Sequence, residues 1–113
     1  MSKLIIAGSR TFNDYDLLKT NVTNLDTITE IVSGTAKGAD LLGERYAIEN
    51  NIPIKKFLPN WAKFGKSAGF LRNKEMAEYA DTLIVFWDGK SKGTKHMIDL
   101  GHTNKLNVTV VLF

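Results

Sequence analysis

The chain has 113 residues, 43% of them hydrophobic and 24% charged, with a formal net charge of +3. This composition predicts one globular domain over residues 1–113, and the lack of cysteine excludes disulfides and thiolate metal sites. No apolar run approaches the roughly 20 residues of a membrane span, and the amino terminus does not resemble a signal peptide, so we expect a cytoplasmic protein. The mild positive charge favours an anionic partner, but no block of Lys and Arg demands nucleic acid.

Apolar runs alternate with helix-like patterns along the whole chain. The runs predict β-strands at residues 3–7, 29–33, 52–57, 82–87 and 108–113. Pro53 marks the third strand as an edge strand, whereas the last strand is expected to end in the core. Helices are predicted from a cap at Asn13 or Asp14 to about residue 26, and at about 39–50, 67–80 and 94–104.

This alternation predicts a three-layer α/β sandwich around a parallel sheet. In such sheets, ligands bind at the carboxyl ends of the strands. Three glycine-bearing loops, at residues 8–11, 34–40 and 88–94, follow strands and would share that edge. Gly34 and Gly38 precede a helix start, where unpaired backbone N–H groups and the helix dipole favour an anion. The hypothesis that follows is a phosphate-bearing ligand.

Polar side chains in the first two loops suit this ligand. Gly8 allows close approach, Ser9 offers a hydroxyl, and Arg10 offers a planar fork for phosphate. Lys37 offers a point charge. Two roles stay open for Asp40, which either stabilises the first turn of its own helix or contacts a ribose hydroxyl.

Two other patterns do not predict a site. Gly65-Lys66-Ser67 lacks the glycine five positions earlier and the preceding strand that a P-loop requires. His96 and His102 are six positions apart on one helix and therefore point to different sides, so we predict no metal site on them. Trp61 either stacks on a base or plugs the core.

Four segments together resemble the YspA/YpsA-related branch of the SLOG superfamily. They are Ile6-Ala-Gly-Ser-Arg10, Val32-Ser-Gly-Thr-Ala-Lys-Gly-Ala-Asp40, the spaced residues Trp61, Gly65, Arg72, Asn73 and Met76, and Phe86-Trp-Asp-Gly89 with Gly93, Thr94 and Met97. The resemblance implies a Rossmann-like fold with strand order 3-2-1-4-5. It also implies a nucleotide or nucleotide-derived ligand, such as ADP-ribose or an NAD derivative, and no other cofactor.

With the resemblance, the expected site extends over most of the chain. Arg72 and Asn73, which spacing alone would leave on a solvated helix face, would contact phosphate or ribose. Trp61 and Met97 would line a base or sugar pocket. The complete expected set of ligand-binding residues is Gly8, Ser9, Arg10, Gly34, Ala36, Lys37, Gly38, Asp40, Trp61, Arg72, Asn73, Gly89, Gly93, Thr94 and Met97.

The superfamily also offers two alternative functions. Its phosphoribohydrolases carry a catalytic Glu where this chain has Met97, which cannot exchange a proton or stabilise a cationic sugar. The sequence therefore favours a binding module, acting as a sensor or a sequestering protein, over a hydrolase, and assigns no catalytic residue. Its DprA-like members bind single-stranded DNA. Pairing of two copies is also open, with Tyr46, Tyr79 and Phe70 as candidates for either the contact or the core.

Overall fold

Five parallel strands form one sheet at the centre of the molecule. The computed structural model describes residues 2–23 and 25–113, and every strand pairing in it is parallel. The strands are β1 (Ser2–Gly8), β2 (Ile28–Ser33), β3 (Ile54–Lys56), β4 (Thr82–Trp87) and β5 (Asn107–Leu112). Their order is β3-β2-β1-β4-β5. The predicted α/β fold and strand order are confirmed.

The helices follow the predicted alternation, with one addition. They are α1 (Tyr15–Asn21), α2 (Ala39–Glu49), α3 (Trp61–Phe64), α4 (Ala68–Tyr79) and α5 (Lys92–Thr103), with 3-10 turns at Leu25–Thr27 and Gly65–Ser67. The sequence did not predict α3, because four residues are barely one turn and show no complete hydrophobic period. Asn60 caps this turn by accepting a hydrogen bond of 3.1 Å from the Lys63 backbone N–H.

The first helix is shorter than predicted. Asp14 caps it as expected, accepting the Leu17 N–H at 3.0 Å. It ends at Asn21 rather than near residue 26, because Val22 adopts an extended conformation and is buried. The chain can then turn towards β2. The predicted continuation of the apolar face to Leu25 lies outside the side chains that the structure describes.

Helices cover both faces of the sheet, which makes the predicted three layers. Because side chains alternate along a strand, β1 contributes Leu4 and Ile6 to one core and Ile5 and Ala7 to the other. The first core lies under α1 and α2, and the second under α4 and α5. Within the described ranges, no helix is long and apolar enough to cross a membrane.

The two edge strands differ. Pro53 immediately precedes β3, as predicted for an edge strand, and its carbonyl accepts the Ile31 N–H at 2.9 Å. The expectation that the final strand ends in the core is wrong, since Leu112 and Phe113 are exposed. The physical reason is that β5 is an edge strand paired only with β4, so the helices cover little of it. Only Val108 and Val111 are half-buried, one against each core, and the other side chains of the strand are exposed.

The strand order reverses between β1 and β4, and this places the candidate site. From β1 the chain proceeds outward through β2 to β3, and then returns to β4 on the other side of β1. The loops after β1 and β4 therefore diverge to opposite faces of the sheet and leave a crevice at its carboxyl edge.

Candidate functional site

Three adjoining pockets open at the carboxyl edge, and all border on Arg10 and Arg72. The inner pocket, with a volume of about 100 Å³, is lined by Ala7, Gly8, Arg10, Ala36, Asp40, Arg72, Asn73, Met76, Ser91, Gly93, Thr94 and Met97. The outer pocket, about 520 Å³, is lined by Arg10, Gly34, Thr35, Ala36, Lys37, Leu58, Pro59, Trp61 and Arg72. The side pocket, about 170 Å³, lies beyond Trp61 against Lys66, Gly69 and Phe70.

The size and charge of these pockets suit a ligand with a small anionic group and a larger body. The outer pocket falls within the range of about 300–1,000 Å³ that is usual for small-molecule sites. A further depression of about 170 Å³ lies at the opposite, amino edge of the sheet. Among the described residues that line that depression none has a charged side chain, so they offer nothing to neutralise a phosphate.

Arg72 is held across the boundary between the inner and outer pockets. Its Nε donates to Asn73 Oδ1 at 3.0 Å, and its Nη1 donates to the Gly34 carbonyl. No hydrogen bond in the described part of the chain uses Nη2, so this end of the fork can bind a ligand. Partial burial lowers the pKa of Arg72, but the group stays charged at neutral pH.

Gly34 is required for this arrangement. A Cβ at this position would lie 3.0 Å from Arg72 Nη1 and 2.8 Å from Asp40 Oδ2. Any side chain would therefore displace the guanidinium or the carboxylate. The glycine that the sequence offered as a phosphate contact also permits the close approach of two charged side chains.

Asp40 is a buried carboxylate within a basic pocket. Its side chain is in the first turn of α2, and Oδ2 accepts the Ala36 N–H at 3.1 Å. Burial raises the pKa of Asp40 to about 6, while this hydrogen bond and the charges of Arg72 and Arg10 oppose the rise. The carboxylate is therefore ionised at neutral pH, although its environment makes that costly.

The amino end of α5 forms the wall opposite α2. Ser91 caps this helix by accepting the Thr94 N–H at 3.3 Å and the Thr94 hydroxyl at 2.9 Å. Asp88 shapes the preceding turn, with Oδ1 accepting the N–H groups of Lys90 and Ser91 at 2.8 Å each. Ser91 was not among the predicted site residues, although a serine just before a helical pattern is a cap signal.

The floor of the inner pocket is apolar. Met97 and Met76 are almost completely buried and lie beneath the polar rim with Ala7. Met97 occupies the position at which the resemblance would require a catalytic Glu. Among the described residues that line the three pockets, Asp40 has the one acidic side chain. Met76, which spacing alone did not single out, contributes to the site from α4.

Most of the expected site residues lie around these pockets. Nine line the inner pocket, namely Gly8, Arg10, Ala36, Asp40, Arg72, Asn73, Gly93, Thr94 and Met97. Gly34, Lys37 and Trp61 line the outer pocket. Ser9, Gly38 and Gly89 are not among the lining residues.

Two of these three outlying residues join the loops together. Ser9 is buried, and its Oγ accepts the Asp88 N–H at 3.2 Å, which links the loops after β1 and β4. Gly38 has φ = +83°, and a Cβ there would lie 2.4 Å from the Ser9 carbonyl oxygen. Gly38 therefore lets the loop after β2 lie against the loop after β1.

The Gly65-Lys66-Ser67 segment does not have the geometry of a P-loop, although Lys66 lines the side pocket. Gly65-Lys66-Ser67 forms a 3-10 turn after a helix, not a loop between strand and helix. In the two described ranges, no group of three or more His, Asp or Glu side chains could hold a metal ion.

The charge of Asp40 leads to a stability prediction. Because its pKa rises from 3.8 to about 6 on folding, the folded state holds more protons between these values, and stability falls as the pH rises through that window. Above it the cost is about 3 kcal/mol. Asp40→Asn removes the charge and keeps an oxygen for the Ala36 N–H. We expect it to raise the free energy of unfolding by about 1–3 kcal/mol near neutral pH, with little change near pH 4.

Urea unfolding of both proteins at the two pH values measures this difference. A variant less stable than the parent at neutral pH would contradict the burial of an ionised carboxylate at this position. Loss of the Ala36 hydrogen bond alone would lower stability equally at both pH values.

The chain is similar in sequence to a phage protein and similar in fold to a solved DNA processing protein. The chain is 31% identical over 123 residues to the Gene 61 protein of Mycobacterium phage D29, covering 100% of this chain and 97% of that protein. DNA processing protein A (DprA) from Streptococcus pneumoniae has the same fold, with a TM-score of 0.80 at 18% identity. That alignment covers 96% of this chain and 49% of the DprA chain, so this chain spans about half of DprA.

A family model adds direct evidence from sequence. The model of the YspA, cpYpsA-related SLOG family matches residues 2–64, which include β1, β2, β3, the loop that carries Arg10 and the first turn of α2 that carries Asp40. The match covers more than half of the chain, and the phage relative extends the similarity over the remainder. The chain therefore belongs to the YspA, cpYpsA-related SLOG family.

Proposed function

We propose that this protein binds a phosphate-bearing nucleotide or nucleotide derivative, of the ADP-ribose or NAD-derivative type, and acts as a sensor or a sequestering module. One observation carries the proposal. Arg10, Arg72 and the amino end of α5 converge on a small pocket, and this pocket continues into a larger one beside Trp61.

The inner pocket has the donors that a phosphate needs. Arg72 offers a fixed guanidinium edge, and Arg10 is exposed at the rim and free to fold over a ligand. The α5 dipole adds partial positive charge beside Gly93. Charge-assisted hydrogen bonds of this kind contribute about 1.5–3 kcal/mol each.

The outer pocket suits the base or the sugar. The Trp61 ring is about half exposed and lies between the outer and side pockets. An exposed ring of this size provides a stacking surface, and base–aromatic stacking contributes about 1–3 kcal/mol. Lys37 adds charge at the rim of the outer pocket.

The side chains favour binding over turnover by the phosphoribohydrolase route. Met97, which is 2% exposed, stands where that mechanism needs a carboxylate. Neither Glu75 nor Asp88, which could offer a carboxylate in place of the missing Glu, lines any of the three pockets. The bound ligand is therefore expected to be released unchanged.

A thermal-shift panel tests the proposal with AMP, ADP, GTP, NAD, ADP-ribose and a short oligonucleotide. A ligand at about 100 times its dissociation constant should stabilise the protein by about 2.7 kcal/mol. Chromatography of the recovered ligand distinguishes binding from turnover, because an enzyme returns fragments. No shift with any of these small molecules would overturn the proposal.

A second candidate, binding of single-stranded DNA, has its own supporting observation. Phe64 and Phe70 are exposed, and Phe70 lines the side pocket together with Trp61 and Lys66. Rings interleaved with cations are typical of single-strand binding, and the DprA neighbour is named for DNA processing. Affinity for an oligonucleotide would then fall steeply with salt. Undetectable binding or a flat salt response would remove this candidate.

A further inference from the structure

One of the two carboxylate oxygens of Asp40 has no hydrogen-bond partner among the residues that the structure describes. Its Oδ2 accepts the Ala36 N–H, but no hydrogen bond among the described residues reaches Oδ1. Among the described residues, His96 Nδ1 is the one fully buried side-chain N or O atom without a hydrogen-bond partner. Asp40 Oδ1 also has no such partner, so it is not fully buried. Because Asp40 is 5% exposed and lines the inner pocket, the remaining access to Oδ1 is through that pocket.

We propose, on the basis of the nucleotide-binding function above, that Asp40 Oδ1 accepts a hydrogen bond from a ribose hydroxyl and makes the pocket selective for ribonucleotides. An ionised carboxylate is an acceptor only, so it complements a hydroxyl and repels a phosphate. The guanidinium groups of Arg72 and Arg10 supply the donors for the phosphate. Together these groups match a sugar phosphate and not a bare anion.

The charges around Asp40 support this role. Arg72 on α4 and Arg10 after β1 favour its ionised form, while Glu44 on its own helix and burial oppose it. The pKa remains raised to about 6, because burial outweighs these favourable charges and the Ala36 hydrogen bond. A donor on the ligand would supply the missing hydrogen bond. A ligand without that donor would close over a buried, unpaired carboxylate oxygen, at a cost.

The experiment compares AMP and GMP with their 2′-deoxy and 3′-deoxy counterparts by calorimetric titration. We expect at least one deoxy analogue of each pair to bind about tenfold more weakly or worse, the scale of a lost hydrogen bond to a charged group. Equal affinity for all three forms would overturn the role of Asp40 and leave the proposed function standing. Binding of none of these probes would overturn this inference, whereas the proposed function fails only if no small molecule of the thermal-shift panel binds.

Asp40→Asn is the matched variant. The Ala36 N–H orients the amide, because that donor selects the amide oxygen, and the NH₂ group then replaces the acceptor in the pocket. We expect the ratio of ribo to deoxy affinity to fall to about one. A purely structural Asp40 would leave this ratio unchanged while altering stability. If the variant fails to fold, the analogue comparison on the parent protein still decides the question.

The pH dependence of the same ratio gives an independent readout. A phosphate monoester itself titrates near pH 6, but this change is common to the ribo and deoxy forms and cancels in their ratio. As the pH rises from about 5 to about 7.5, Asp40 ionises and the preference for the ribo form should grow. A preference that stays constant or shrinks would overturn the assignment.

Discussion

Replacing Gly8 by alanine is expected to lower the free energy of unfolding by about 3 kcal/mol or more. A Cβ at this position would lie 2.2 Å from the Phe86 carbonyl oxygen, which belongs to the backbone of β4 and cannot move aside without disrupting the sheet. The same carbonyl accepts the Ser9 N–H at 2.9 Å. The melting temperature should fall on the order of 10–20 °C.

Gly93→Ala is the matched control for this prediction. Gly93 is also a glycine of the candidate site and is in the first turn of α5. A Cβ built at Gly93 would have no heavy atom of the described residues within 4 Å, apart from its chain neighbours and the backbone of its own helix. Alanine there should leave stability unchanged or raise it by up to about 1 kcal/mol. Urea unfolding of the two variants measures the difference. Equal stability of Gly8→Ala and the parent protein would contradict the close contact between β1 and β4.

Replacing Arg72 by alanine is expected to weaken nucleotide binding by roughly 10–100-fold. The variant loses the fork that faces the inner and outer pockets, and it also leaves the Gly34 carbonyl and Asn73 Oδ1 without their donor. Arg72→Lys should restore only part of the affinity, since an ammonium is a point charge without the planar fork. Titration with the ligand found in the thermal-shift panel measures both.

Two further variants separate the effect of a ligand-binding residue from the effects of stability and of overall positive charge. Arg10 is exposed, and its side chain makes no hydrogen bond in the described ranges, so Arg10→Ala should weaken binding by roughly 1.5–3 kcal/mol at unchanged stability. Lys74→Ala removes one positive charge from an exposed position of the same helix as Arg72. If Lys74→Ala weakens binding as much as Arg72→Ala, the effect is one of net charge, and the assignment of Arg72 fails.

The site carries a cost in stability that is typical of functional positions. A buried carboxylate with a raised pKa destabilises the folded protein, and Asp40→Asn is expected to relieve this at the expense of ligand selectivity. The same substitution should therefore move stability and specificity in opposite directions. If Asp40 only stabilised its helix, the substitution would alter stability and leave the ratio of ribo to deoxy affinity unchanged.

The sequence by itself determined the layers of this protein. The unbroken apolar run of β1 predicted a strand buried on both faces, and Pro53 predicted an edge at β3. Periodicity reports local burial, so it located four of the helices, three of them to within two residues at each end. Periodicity did not predict α3, which is too short to show a hydrophobic period. It wrongly predicted that β5 ends in the core, because the burial of an edge strand depends on neighbours that only the packed sheet provides. The strand order came from the family resemblance and is confirmed.

The tertiary structure alone decided how the site is joined. Arg72 meets Gly34 across 38 positions, and Asp88 meets Ser9 across 79, through crossovers whose loops carry no periodic signal. Ser9 and Gly38, which the sequence offered as ligand contacts, hold loops against each other. Asp40 had two open roles, and only the packed pocket shows that Ala36 donates to one carboxylate oxygen while no hydrogen bond from the described residues reaches the other. Side-chain partners depend on which strand ends become neighbours, and that is a property of the folded sheet.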